Sequence, residues 1–408
     1  MSITFPDRRR LRSLATGLAV VLLGAAVPIA LNVADAATDF NCSGGYQVDE
    51  TLQNGARWQL CWERRDREGI VLHDVTYTPP GGSAVEILGQ ANLAQIHVPY
   101  HDNQARFHDL SDFGLGTDDF MNNLQPADCP NGERLADGAI NALCMTESPS
   151  GYAYKDYGQQ AQATSLNLFS VSHIGAYNYI VAWNLDDDGT IRPEVGATGQ
   201  LQAITPGTST STGWPIGGNR TAIAHLHNYT WRLDFDVAGS RLNDRVEELE
   251  APSAVNGTQR RVIRRLFANE TARRVAPDRL RSWRVRDTVV RNADGHPISF
   301  EILPEPDSIF RGPSYERWTQ NDFYVTRHRA CERFASHNPG GAGCQGGAPN
   351  NQLAAFANGE SLNNQDLVVW YGATFNHLPR DEDENHMHPH WTGFSIIPRD
   401  LTATNPTG

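Results

Sequence analysis

Several residues in this chain come at spacings that could do chemistry. His225-Leu226-His227 stands at the head of an alternating segment. On a strand, residues i and i+2 leave from the same face, so both imidazoles could reach one ion. Nitrogen donors of this kind suit copper, zinc or iron. A third donor must come from elsewhere. The C-terminal part offers His377 and then His386, His388 and His390, and spacing alone does not choose among them. The last three could also form a small metal-binding tract of their own. Asp234-Phe235-Asp236 repeats the i, i+2 arrangement with carboxylates. Joined by the distant Asp366 it could hold a hard cation such as Ca²⁺; the plainer reading is a solvated charged face. Asp109 and Asp112 flank a Leu-Ser pair with turn chemistry. Tyr177 and Tyr179 taken alone fit an ordinary strand, and Tyr100 a packed aromatic.

These residues need strands to position them. Strand-like runs cover Ile70–Leu72, Asn178–Trp183, Tyr229–Val237, Ser299–Leu303, Phe323–Val325 and Leu367–Trp370. From Thr230 to Val237 apolar residues take the odd positions and mostly charged ones the even, the period of a strand with two different faces. Asp186-Asp187-Asp188-Gly189 is a turn signal. One window, Gln259–Arg274, has a helical period, with Ile263, Leu266 and Phe267 at i, i+3 and i+4. The fold class that follows is mostly β, a large β-sandwich with minor helices.

The first residues have a different character. Arg8-Arg9-Arg10-Leu11-Arg12 is followed by the apolar Leu14–Val33 and the small-x-small Ala34-Asp35-Ala36. This is the pattern of a secretory signal peptide over residues 1–36, loosely of the twin-arginine type. It predicts a mature chain from 37 to 408, secreted or in a periplasm-equivalent space. No later run is apolar enough to span a membrane. The whole sequence has a net charge of −13. Residues 1–36 hold four Arg and two Asp, so the mature part carries 30 basic against 45 acidic side chains, net −15. That acidity argues against a nucleic-acid partner. The six cysteines, Cys42, Cys61, Cys129, Cys144, Cys331 and Cys344, predict disulfides in an exported chain. Pairing of nearest neighbours gives 42–61, 129–144 and 331–344.

Ile174-Gly175-Ala176-Tyr177-Asn178-Tyr179, then Asp188-Gly189-Thr190-Ile191 and Ala197-Thr198-Gly199, resemble the cofactor motif of the copper amine oxidases. Further segments resemble that family in the same order along the chain. Upstream these are Arg67 to His73, Val98-Pro99-Tyr100 and Asp109 to Gly114. Downstream they are His225 to Asp236, Ser282 to Val285, Gly295 to Pro297, Asp322 to Thr326, Asp366 to Trp370 and His377 to Asp383. Collinear order over residues 45 to 400 is what chance matches to short motifs do not produce. The smaller domains that precede the catalytic one in the family are missing from this sequence.

The resemblance implies a copper- and quinone-dependent oxidase. It would turn primary amines, O₂ and water into aldehyde, ammonia and hydrogen peroxide, and would work as a homodimer. Tyr177 would be the precursor of topaquinone. Asp109 would be the base that takes the substrate α-proton, with Asp112 as the position from a shorter match. Tyr100 would hydrogen-bond the quinone oxygen. Copper would sit on His225, His227 and His377. Asp234, Asp236 and Asp366, with the carbonyls of Phe235 and Leu367, would hold a structural Ca²⁺-like ion. The sequence departs from the family pattern beside the cofactor tyrosine, where Ala176 replaces Asn and Asn178 replaces an acid. Around Asp109, Ser111, Asp112 and Phe113 replace Gly, Glu and Tyr. A non-catalytic copper-binding relative of the same fold is the alternative that these departures raise.

Overall fold

Alternating apolar residues require strands that can share a core, and the computed structural model shows how they do so. It describes residues 42, 46–252, 254–255, 257, 259–338 and 351–408. The expected signal segment and Cys344 lie outside the described residues. The strands form two large antiparallel sheets. The first runs Gln47–Thr51, Arg57–Arg65, Gly69–Thr78, Val85–Pro99, His225–Phe235, Leu367–His377, Phe323–Arg327 and Thr271–Arg273, with Arg106–His108 also on Val85–Pro99. The second runs Ile263–Leu266, Asp244–Glu250, Ser282–Arg291, Pro297–Leu303, Ser395–Arg399, Ile191–Gly199, Tyr177–Asp186, Gln159–Ile174, Ile140–Asp156 and Glu133–Asp137, with Met387–Gly393 also on Ile191–Gly199. The only α-helices among the described residues are the single turns Asp109–Asp112 and Leu353–Phe356. None of the described helices is long and apolar enough to cross a membrane.

Large aromatics from the two sheets interlock between them. Trp183 and Trp231 meet edge to face at 5.0 Å, and Trp283 stacks on Phe323 at 4.2 Å. Burial of an aromatic of this size stabilises by roughly 4–6 kcal/mol before entropy is charged against it. Buried Tyr and Trp need partners for their polar ends. Trp58 Nε1 donates to the Asp186 carbonyl at 3.0 Å, and the Tyr77 hydroxyl donates to that of Asp187 at 2.9 Å. These bonds tie the edge of one sheet to a turn of the other. Cys42–Cys61 and Cys129–Cys144 are bridged as expected, with Cα–Cα separations of 5.4 and 5.7 Å.

The alternating strand His225–Phe235 is central in its sheet and buried on both faces along nearly its whole length. Trp231, Leu233 and Phe235 face the core. Arg232 and Asp234 are buried too, on the other side. There Arg232 Nε donates to the Glu332 carbonyl at 3.2 Å. The even face is therefore a covered polar layer rather than a wet one.

The helix expected over Gln259–Arg274 is not formed. That stretch gives Gln259–Arg260, Ile263–Leu266 and Thr271–Arg273, all strands. Only Phe267 of the supposed apolar face is buried, while Ile263 and Leu266 are exposed. Sheet pairing with Asp244–Glu250 takes precedence over the local period. It places Arg265 against the buried Glu248 carboxylate at 2.5 Å, and Arg273, on a strand of the first sheet, reaches the same carboxylate at 3.1 Å. Leaving that charge unpaired would cost far more than a weak helical preference returns.

Candidate active site and metal centre

The strand pair His225–Phe235 and Leu367–His377 resolves the choice of third histidine. Their register sets His225 directly opposite His377, and His227 opposite Phe375. His225 Nε2 lies 3.1 Å from His227 Nε2 and 3.3 Å from His377 Nδ1. Donor atoms of all three fall within 4.8 Å of one another. His386 and His388 take no part in the cluster, and His390 stacks its ring on Phe375 at 4.0 Å.

The donor chemistry fits a borderline divalent ion. His225 Nδ1 donates to the Ile223 carbonyl at 3.2 Å, which leaves the Nε2 lone pair facing the cluster. His377 Nε2 sits 3.3 Å from Asp383 Oδ2, which leaves Nδ1 facing inward. Such outer partners fix the tautomer and aim of a metal-binding imidazole. Burial favours the neutral, metal-binding state of all three rings; neighbouring imidazoles add to this at His225 and His227, while the Asp383 carboxylate opposes it at His377. His225 is pushed down to about 3. Converging imidazole nitrogens of this kind fit a cation, and an all-nitrogen set suits copper.

Tyr177 faces this centre from the other sheet. It opens the strand Tyr177–Asp186 straight after the two-residue turn Gly175-Ala176, with Ile174 and Tyr177 paired across the hairpin. Gly175 takes φ +65°, the conformation that a tight hairpin of this length requires at its first position. The Tyr177 hydroxyl donates to His225 Nε2 at 2.7 Å and lies 3.4 Å from His377 Nδ1. Tyr100 is bridged to His225 through the backbone and stacks on its ring, centroids 4.6 Å apart. It is thus beside the metal donors.

Two strand positions along, Tyr179 shares the inner face with Tyr177. Its hydroxyl donates to Asp109 Oδ2 at 2.7 Å. Asp109 begins the short helix and is buried; Asp112 ends it and is half-exposed. Burial raises the Asp109 carboxyl to about 7, against the lowering effect of the Tyr179 bond and with a small addition from Asp112. A group poised near neutrality can take and return a proton. The buried cluster therefore contains Asp109 and not Asp112.

The substituted neighbours fall elsewhere. Ala176 presents only its main chain, whose N–H is 3.2 Å from Gln202 Oε1 and whose carbonyl accepts from Gln200 N at 2.9 Å. Asn178 lies on the opposite face of the strand from Tyr177. It lines an open groove with Ile180 and Ala182, and its Oδ1 is 3.3 Å from His173 Nδ1.

At the far end of the same strand pair, Phe235 is opposite Leu367. Asp234, Asp236 and Asp366 gather round that junction, roughly 30 Å from the histidines at about 3.3 Å per residue. Asp234 Oδ1, Asp236 Oδ1 and Asp366 Oδ1 are buried without hydrogen-bond partners, as fits a cation site. His328 joins them, with Nε2 3.4 Å from Asp234 Oδ2, and Arg241 Nε is 3.3 Å from Asp236 Oδ2.

Sequence reasoning missed Tyr179, Asp383 and His328 as parts of these clusters. Tyr179 and Asp383 both stand inside motifs quoted above, and period two already placed Tyr179 beside Tyr177. Nothing local marked His328.

Residues 47–408 match the family described as copper amine oxidase, enzyme domain. The chain is 26% identical over 396 residues to histamine oxidase of Arthrobacter globiformis, covering 86% of this chain and 56% of that protein. It is 24% identical over 414 residues to primary amine oxidase 1 of Arabidopsis thaliana, covering 89% and 63%. The chain thus spans less than two thirds of the length of these curated relatives. Among solved structures, a copper-containing benzylamine oxidase from Hansenula polymorpha superposes with a TM-score of 0.72 at 19% identity, covering 96% of this chain and 64% of that one. An amine oxidase from Aspergillus nidulans gives 0.70 at 20%, covering 95% and 56%.

Proposed function

This chain belongs to the copper amine oxidase family, and from that premise we propose that it oxidises primary amines with O₂ to aldehyde, ammonia and hydrogen peroxide. The observation that carries this reading is the Tyr177 hydroxyl, 2.7 Å from His225 Nε2 inside the trihistidine cluster. In this reading His225, His227 and His377 hold copper, and Tyr177 is the residue converted to topaquinone. Bound copper would promote oxidation of the tyrosine by O₂, and the resulting quinone would supply the electron sink for amine oxidation.

The remaining work falls to side chains of this chain. Asp109, desolvated and held by Tyr179, removes the α-proton of the bound amine and later returns a proton as an acid. Tyr100, stacked on His225, would hydrogen-bond the quinone oxygen. Asp383 keeps the Nδ1 lone pair of His377 aimed at the metal. Ala176 offers no side-chain hydrogen bond to the ring, so Tyr100 and the walls of the cluster must orient it. Asp234, Asp236, Asp366 and the carbonyls of Phe235 and Leu367 hold a second, structural cation; His328 adds a nitrogen to that oxygen set.

The basic, apolar and small-residue segments at 8–36 support export, and family membership supports a homodimer. Light scattering and N-terminal sequencing of secreted material test those two points. The catalytic reading is tested by peroxide release. Copper-loaded protein should release peroxide from some member of a panel of monoamines, diamines and lysyl peptides, and Tyr177→Phe should release none. Equal release by Tyr177→Phe would overturn it.

A further inference from the structure

A second cluster of imidazoles sits beside the short helix that carries Asp109. His108 closes the strand Arg106–His108, Asp112 closes the helix Asp109–Asp112, and His337 comes from a distant segment where it takes φ +60°. The rings of His108 and His337 are 4.1 Å apart, and His337 Nδ1 is 3.3 Å from Asp112 Oδ1. One potential ligand atom from each of the three lies within 4.8 Å of the others. His108 is held in place by His97 and Trp318, with ring centroids at 4.8 and 5.5 Å. Its Nε2 is buried with no hydrogen-bond partner. A buried ring nitrogen without a partner loses its hydration for nothing in return, and a bound cation would compensate it.

We propose that His108, Asp112 and His337 form a second transition-metal site, distinct from the trihistidine centre and selective for borderline divalent ions such as zinc. Two imidazoles with one carboxylate form a donor set for zinc, cobalt, nickel or copper. Calcium and magnesium require more oxygen than this cluster provides. Three protein donors also leave a position for water. The Asp112 and His337 side chains are 39% and 47% exposed, so an ion can enter from solvent. Once bound, it ties together a strand end, a helix end and a segment far along the sequence. The helix so anchored has Asp109 at its other end, so occupancy restricts the segment that positions this carboxylate. The proposal does not depend on amine oxidation.

Zinc itself is the probe. The full chain is first loaded with copper, then equilibrated with micromolar Zn²⁺, passed through a desalting column and assayed for both metals. His337→Gln and Asp112→Asn alter half-exposed side chains, and their copper content reports whether the fold and the trihistidine centre are intact. His328→Gln, in the carboxylate cluster, serves as a comparison. The expected result is that His337→Gln and Asp112→Asn each lose the same single equivalent of zinc at unchanged copper content, and that His328→Gln keeps it. Cobalt in place of zinc should give a visible d–d absorption in the parent that both variants lack. Full zinc retention and an unaltered cobalt spectrum in the two variants would overturn the proposal.

Discussion

Tyr179→Phe should displace the pH profile of amine oxidation without removing the base. The Tyr179 hydroxyl is 2.7 Å from Asp109 Oδ2, and both groups are buried. A hydrogen bond to an ionised carboxylate in such a place is worth about 1.5–3 kcal/mol. It stabilises the charged form, so its loss must raise the Asp109 carboxyl above the value of about 7 that burial already imposes. At 1.36 kcal/mol per unit the rise is about 1–2 units. The acid limb of kcat/KM should then move from about 7 to about 8–9, and the rate at pH 7 should fall roughly five- to fiftyfold. Well above the new limb the rate should recover towards that of the parent. Initial rates of peroxide release from pH 5 to 10 provide the assay. An acid limb that stays in place, or a rate loss equal at every pH, would refute the claim that Tyr179 acts through the Asp109 proton.

The same carboxyl links pH to stability. Its folded value of about 7 lies above the ordinary 3.8, so the folded state binds the proton more tightly. This contribution favours folding at low pH and is lost as pH rises from about 4 to about 7, by at most about 4 kcal/mol. Asp109→Asn should flatten that decline in denaturant titrations across the window. Asp383→Asn should weaken copper binding by about 10–100-fold, because His377 loses the partner that aims its Nδ1, and competition with a chelator measures this. Gly199 has φ +117°, and a Cβ there would lie 2.3 Å from the Ala176 carbonyl oxygen. Gly199→Ala should therefore lower the melting temperature and disturb copper uptake together. Trp231→Ala, which empties a fully buried site against Trp183, should cost about 3–5 kcal/mol of stability without removing a metal donor.

Much of this architecture was legible because strands declare themselves by period two. His225 with His227, Asp234 with Asp236 and Tyr177 with Tyr179 are all i, i+2 pairs, and each pair does share a strand face. What a single strand cannot reveal is its partner's register. Only the pairing of His225 with His377 separates that histidine from His386, His388 and His390. In the same way, Asp109 and Asp112 are three residues apart with similar flanks, and only burial separates them. The cluster of His108, Asp112 and His337 depends on tertiary contact with a segment more than two hundred residues away, which no local spacing marks. Gln259–Arg274 shows the opposite failure. There a local helical period was present, but the buried Glu248 required arginines that a strand could bring across. The polar face of the strand His225–Phe235 looked solvated for a related reason, since the segment that covers it lies some hundred residues further on.

The central claim is that Tyr177, beside three neutral imidazoles, is the site of oxidative chemistry. Its most direct test precedes any turnover. Metal-free protein is given Cu²⁺ in air, trapped with a hydrazine that labels quinone carbonyls, digested, and the peptide containing Tyr177 examined by mass spectrometry. The account predicts a labelled, oxidised Tyr177 that forms only with both copper and O₂, and that is lost in His377→Ala. An unmodified Tyr177 in protein that has bound copper at His225, His227 and His377 would contradict it.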